Sequence, residues 1–80
     1  MQQIEIYDRL TDIFREVFDD PRLVVSPQLT ADDVDGWDSL YHIRLMLSVQ
    51  DAFKVKFSAL EIGQLKKVGD LASLIERKST

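Results

Sequence analysis

The 80-residue chain has no cysteine, a single histidine, three glycines and two prolines. The absence of cysteine excludes disulfides and cysteine-ligated metal sites, and nothing in the composition indicates an oxidising compartment. No apolar run approaches the roughly 20 residues that a membrane-spanning helix needs. The N-terminal segment Met1–Glu5 lacks the basic and then apolar stretches of a signal peptide. We therefore expect a cytoplasmic protein with no membrane partner.

Charge is divided unevenly between the two halves of the chain. Residues 1–40 hold ten acidic and three basic side chains, whereas residues 41–80 hold four acidic and seven basic ones. The basic residues are scattered and lie beside an acidic half, which argues against a nucleic-acid partner. The acidic half instead favours basic protein partners.

The hydrophobic periodicity predicts an all-α fold, a small four-helix bundle in one domain over residues 1–80. The predicted helices cover about residues 2–18, 39–53, 58–63 and 68–77, with a long loop over residues 19–37. In the first helix, four apolar residues recur at the spacing of one buried face: Ile6, Leu10, Ile13 and Val17. Such a short chain buries only about 60% of its unfolded surface, so we expect no deep catalytic cavity.

The segments after the first helix also carry local signals. Six apolar residues predict that the long loop packs on the helices: Leu23, Val24, Val25, Leu29, Val34 and Trp37. The capping-box pattern Ser58-Ala59-Leu60-Glu61 predicts the start of the short third helix. Lys66 and Lys67 stand where the fourth helix needs a good N-cap, so we expect its first turn to fray.

The second helix has two apolar faces. Asp38 is a suitable N-cap, because its carboxylate can accept a backbone N–H of the first turn. One face carries Leu45, Met46, Val49 and Phe53, and the other carries Leu40, Ile43 and Leu47. A small domain can bury only one such face deeply. The second face is therefore either a docking surface or covered by neighbouring segments.

The segment Gly36-Trp37-Asp38-Ser39-Leu40 places a serine hydroxyl at the exposed start of that helix. A phosphodiester there would meet unpaired backbone N–H groups and the positive end of the helix dipole. Ser39 is thus either an attachment point for a tethered group or an ordinary first-turn residue.

Two other kinds of chemistry fit the residues less well. A hydrolase built from Ser39, His42 and Asp38 lacks the G-x-S-x-G elbow, a preceding strand and the scaffold for an oxyanion hole. The four aspartates within residues 32–38 lack the glycine and terminal glutamate of a calcium-binding loop. His42 is better interpreted as a packed or hydrogen-bonded side chain than as a base. We therefore expect neither a catalytic residue nor a metal site.

The chain resembles an acyl carrier protein over nearly its full length. The resemblance rests on the Gly36–Leu40 segment, the apolar pattern of the second helix, the capping box of the third and the Val68-Gly69-Asp70-Leu71 start of the fourth. The triplet Asp38-Ser39-Leu40 is a weak signal alone but a strong one at this place in a chain of this helix order. The G-W-D-S-L-x-H-I form is similar to small stand-alone carriers of dedicated pathways.

The resemblance implies that Ser39 receives 4′-phosphopantetheine from coenzyme A, which would make the chain a phosphoprotein. A phosphopantetheinyl transferase would perform this step with Mg²⁺, and Asp38 would support it. The terminal thiol of the arm would hold an acyl group as a thioester. The protein would then be a carrier and not an enzyme.

The resemblance also assigns roles to other residues. Five would bind partner enzymes: Leu40, Ile43, Arg44, Leu47 and Asp51. Four would line a pocket for the acyl chain, although core packing explains them equally well: Met46, Val49, Ile62 and Leu65. Arg44 and Gln50 stand where fatty-acid carriers often have glutamate, so we expect partners with a different charge pattern.

The implied partners are acyl-activating, acyltransferase or condensing enzymes of fatty-acid, polyketide or related biosynthesis, and we expect a monomer. One alternative is a peptidyl or aminoacyl carrier with the same fold and arm. An alternative of another class is an unmodified helical interaction module.

Overall fold

Four helices form the body of the computed structural model, which describes residues 2–79. They are α1 (Gln3–Val17), α2 (Ser39–Phe53), α3 (Ala59–Gly63) and α4 (Val68–Lys78). The long loop between α1 and α2 contains a short 3₁₀ helix, Ala31–Asp33. The predicted all-α bundle with a short third helix is confirmed. Among residues 2–79, no helix has the length and apolar character needed to cross a membrane.

The buried face of α1 is centred on Ile6, Leu10 and Phe14, which have no solvent exposure. Ile13 and Val17, predicted on the same face, are half-buried and pack against this core. The ring of Phe14 meets the edge of Trp37 at a centroid distance of 5.3 Å. Contact with Trp37 of the loop thus accompanies the full burial of Phe14 at the centre of the face.

The long loop packs on the helices, as its apolar residues predict. Val25 and Val34 are buried, and Leu23, Leu29 and Trp37 are partly buried against the core. The exception is Val24, which is 68% exposed.

The two apolar faces of α2 have different environments. Four residues of the first face lie in the core: Leu45, Met46, Val49 and Phe53. Leu40, Ile43 and Leu47 on the second face are 62%, 56% and 62% exposed. Neighbouring segments of the chain therefore do not cover the second face.

The first turn of α4 is tied to the loop, and the expected fraying is wrong. The N–H groups of Val68 and Gly69 donate to the carbonyl oxygens of Leu29 and Pro27, each at 2.9 Å. The carboxylate of Asp70 accepts the N–H of Lys66 at 3.1 Å and that of Lys67 at 3.3 Å. Loop carbonyl oxygens and the carboxylate of Asp70 thus accept the backbone N–H groups at the start of α4, where no N-cap side chain does so.

Gly69 allows the loop to approach α4 closely, which leads to a prediction. A Cβ at this position would lie 3.0 Å from the carbonyl oxygen of Pro27, whereas a Cβ at Gly63 in α3 would meet nothing within 4 Å. Both Gly→Ala changes gain up to about 1 kcal/mol of helix propensity, but only Gly69→Ala adds a steric cost of about 1–3 kcal/mol. In urea unfolding, we expect Gly69→Ala to be the less stable variant by that margin. Equal stability of the two variants would contradict the close approach.

The capping carboxylate of Asp70 predicts a pH dependence of stability. The backbone N–H of Lys66 holds the pKa of Asp70 below its ordinary value of 3.8. Because the pKa is lower in the folded state, the stabilisation is complete above pH 3.8 and is lost as pH falls through the folded-state value. Asp70→Asn should lower the Tm at neutral pH, and its difference from the wild type should shrink in acid. Asp12→Asn, on the exposed side of α1, makes the same change of net charge and serves as the control. A difference in Tm between Asp70→Asn and the wild type that does not change with pH would count against the capping role of Asp70.

Candidate functional site

A tight turn precedes Asp38 and Ser39 at the start of α2. The N–H of Trp37 donates to the carbonyl oxygen of Val34 at 3.2 Å, and Gly36 has a φ of +86°. A side chain at that φ would be strained, so glycine is suited to this position of the turn. After the turn, Trp37 packs against the core, whereas Asp38 and Ser39 are exposed.

The backbone around Ser39 suits an anion. Asp38 caps α2 as predicted, because its Oδ1 accepts the N–H of Tyr41 at 3.0 Å and its carbonyl oxygen accepts the N–H of His42 at 2.8 Å. The N–H groups of Ser39 and Leu40 have no hydrogen-bond partner among residues 2–79. Two free donors and the positive end of the helix dipole therefore lie beside the serine hydroxyl. The negative charge of Asp38 repels an anion there, but one of its carboxylate oxygens already accepts the N–H of Tyr41.

A groove of about 570 Å³ opens beside Ser39 between α2, α3 and α4. Three of the four predicted pocket residues line it: Met46, Ile62 and Leu65. Val49, the fourth, is not among the lining residues and has no solvent exposure, because it points into the core on the Leu45 side of α2. Val68 and Leu71 of α4 also line the groove, and Lys66 and Lys67 complete it. The groove is thus mainly apolar, and its polar side chains are those of Trp37, Asp38, Ser39, His42, Lys66 and Lys67.

The residues predicted to bind partners share one exposed side of α2. Five residues make up this surface, which we call the α2 face: Leu40, Ile43, Arg44, Leu47 and Asp51. The guanidinium of Arg44 lies 5.4 Å from the centre of the Tyr41 ring. The α2 face therefore combines three exposed apolar side chains with one cation and one anion.

Sequence reasoning treated Trp37 and His42 as packing residues, and the structure places both on the groove wall. The indole Nε1–H of Trp37 donates to Nδ1 of His42 at 3.1 Å, and the planes of the two rings differ by only 21°. His42 is therefore hydrogen-bonded, as predicted. The bond to Trp37 was not predicted, because a pair five residues apart follows neither helical nor strand periodicity.

His42 and Asp38 direct their hydrogen bonds to residues other than Ser39. His42 accepts from Trp37, and Asp38 accepts from Tyr41, so neither bond points to the Ser39 hydroxyl. Within the described part of the chain, no three histidine, aspartate or glutamate side chains form a group that could hold a metal ion.

An exposed serine at a helix start, beside a groove in a four-helix bundle, is the arrangement that a carrier-type domain requires. A solution NMR structure of a holo acyl carrier protein from Geobacter metallireducens is similar to this chain, with a TM-score of 0.86 and 46% sequence identity. The match covers 91% of this chain and 84% of that one. No model of a known protein family matches, and no curated protein does. The identity and coverage of the solved structure show that the chain belongs to the acyl carrier protein family.

Proposed function

We propose that this protein holds an acyl group as a thioester on a 4′-phosphopantetheine arm attached to Ser39 and presents it to enzymes of a dedicated biosynthetic pathway. The observation that carries the proposal is the exposed Ser39 hydroxyl at the start of α2, next to two free backbone N–H groups and the groove. The similar protein from Geobacter metallireducens is a holo acyl carrier protein, which supports the same prosthetic group here.

The attachment requires only a nucleophile from this chain. The Ser39 hydroxyl oxygen would attack the pantetheine-bearing phosphorus of coenzyme A and form a new P–O bond. The pyrophosphate P–O bond would break, adenosine 3′,5′-bisphosphate would leave, and the hydroxyl proton would pass to a base of the transferase. Asp38, adjacent to Ser39, would assist by approaching the Mg²⁺ ion of the transferase.

After attachment, the chain would position the arm and exclude water from part of its cargo. The N–H groups of Ser39 and Leu40 would donate to the phosphodiester. When bound, the arm supplies a thiol that holds an acyl group, and the tether raises the effective concentration of that group at a partner's active site. Met46, Ile62 and Leu65 would contact an apolar cargo that enters the groove.

Partner enzymes would dock on the α2 face. Leu40, Ile43 and Leu47 offer exposed apolar area beside the attachment point. Arg44 is the cation of this surface, and Gln50 further along α2 is neutral. A partner with a carboxylate opposite Arg44 would be complementary, whereas a purely basic docking surface would meet like charge.

The charge of the α2 face predicts poor recognition by a fatty-acid synthase acyltransferase with a basic docking surface. For such an enzyme, we expect Arg44→Glu to raise kcat/KM of acyl transfer about tenfold at low salt. The gain should fall as salt is added. Arg22→Glu, in the loop, makes the same charge reversal as control. Transfer to the wild type equal to that for an acidic carrier would contradict the proposed charge preference.

Intact-mass measurement tests the proposed function directly. The purified chain is incubated with coenzyme A, Mg²⁺ and a promiscuous phosphopantetheinyl transferase, beside a known carrier as positive control. A gain of one phosphopantetheine is expected. No gain on the folded chain, with the control modified, would overturn the proposal and favour an unmodified interaction module. Loading of the holo form by acyl-activating or by amino-acid-activating enzymes would then separate an acyl carrier from an aminoacyl carrier.

A further inference from the structure

The imidazole of His42 is held in one orientation beside the proposed attachment point. Nδ1 accepts the indole N–H of Trp37, and the two rings meet edge to edge with a centroid distance of 6.1 Å and an interplanar angle of 21°. Trp37 is itself held by Phe14, edge-on at 5.3 Å, and by Phe18 at 5.8 Å. The orientation of His42 is therefore set from the side of the core, through a chain of ring contacts.

The hydrogen bond from Trp37 also decides where the neutral imidazole carries its proton. An indole N–H can only donate, so the histidine nitrogen that it meets must have a free lone pair. The proton of the neutral ring then lies on the other nitrogen, Nε2. No atom among residues 2–79 accepts a hydrogen bond from Nε2. Nε2 of His42 is thus a hydrogen-bond donor in a fixed orientation that has no acceptor among residues 2–79.

The position of His42 connects this donor with Ser39. The two residues are three apart on α2, so their side chains are neighbours on the helix surface, with about 5–6 Å between Cβ atoms. Both line the same groove. Met46, Ile62 and Leu65 of the groove wall have no strong side-chain acceptor, and the Oδ1 of Asp38, which also lines the groove, accepts the N–H of Tyr41. Nε2 is therefore open to an acceptor from outside the chain.

We propose that His42 is a positioning residue for the group on Ser39, with Nε2–H donating to an oxygen of its phosphodiester. The inference rests on the proposed function, because that phosphodiester exists only after Ser39 is modified. The N–H groups of Ser39 and Leu40 donate to the same phosphodiester along the direction of the helix axis, and His42 donates to it from the groove. Together they direct the first atoms of the arm along the groove. Trp37 acts through His42, because it fixes the tautomer and the ring orientation.

NMR of apo and holo protein with ¹⁵N-labelled histidine tests the inference. At mildly alkaline pH, Nδ1 should be unprotonated and Nε2 protonated in both forms. In the holo form, exchange of the Nε2 proton with water should slow about tenfold, the factor that a net hydrogen bond of ordinary strength provides. Unchanged exchange after a confirmed gain of mass would overturn the inference and leave the proposed function intact. No gain of mass would overturn both.

Two substitutions separate the roles of the two ring nitrogens. His42→Asn retains an acceptor within reach of Trp37 but removes the donor at the position of Nε2. His42→Gln places an amide donor near that position. The ³¹P resonance of the holo protein should move in His42→Asn and should stay close to the wild-type position in His42→Gln. Identical ³¹P resonances in all three proteins would overturn the inference, and the labelled wild type remains decisive should a variant not fold.

Discussion

Ser39→Ala is expected to abolish the gain of phosphopantetheine completely, because the substitution removes the only atom to which the arm would be bonded. The fold should be unaffected. Ser39 is exposed, and the capping bonds of α2 come from the side chain and carbonyl oxygen of Asp38. Exposed substitutions away from such features usually change stability by less than about 0.5 kcal/mol. Intact mass and thermal unfolding of the same preparation would measure both effects.

Ser48→Ala is the matched control for this prediction. Ser48 is also an exposed serine of α2, but it lies well inside the helix, where the backbone N–H groups are already bonded. We expect full modification of Ser48→Ala. Modification of Ser39→Ala to any extent would move the attachment point away from Ser39 and contradict the proposed site.

Phe14→Ala is expected to lower the free energy of unfolding by about 3–5 kcal/mol, the range for deleting a large buried aromatic side chain. Phe14 has no solvent exposure and packs on both Phe18 and Trp37. A domain of this size has a total stability of only about 5–15 kcal/mol. The variant should therefore lose a large part of its stability, and urea unfolding would show this as a lower midpoint with an unchanged slope.

Ile4→Ala provides the comparison on the same helix. Ile4 is 68% exposed, so its truncation should cost less than about 0.5 kcal/mol. Since Phe14 supports Trp37, the larger substitution should also change the fluorescence of this single tryptophan in the folded state. A Phe14→Ala variant as stable as Ile4→Ala would show that Phe14 is not at the centre of the core.

The position of the site suits the proposed carrier role. Ser39 and the apolar side chains of the α2 face are exposed, so an enzyme would reach the proposed arm and the helix at the same time. The groove lies between α2 and the last two helices, and Ile43 of the α2 face also lines it. The proposed partner surface and the proposed space for the cargo therefore meet along α2.

Much of the fold followed from local patterns in the sequence. The periodicity of apolar residues predicted the four helices, because side chains three and four apart share a helix face. Asp38 and the Ser58–Glu61 capping box predicted two helix starts, because capping bonds form between neighbours in the chain. Family motifs around Ser39 indicated the carrier role, which composition and periodicity do not reveal.

The tertiary structure decided the features that depend on contacts between distant residues. It placed Phe14 at the centre of the α1 face through Trp37, and it tied Gly69 to Pro27 where the sequence predicted a frayed helix. It also turned Val49 into the core and brought His42 to the groove. Periodicity describes one helix at a time, whereas these contacts form only when segments far apart in the chain dock together. The sequence by itself therefore determined the helices and the family, and the packing of the loop against them determined the shape of the site.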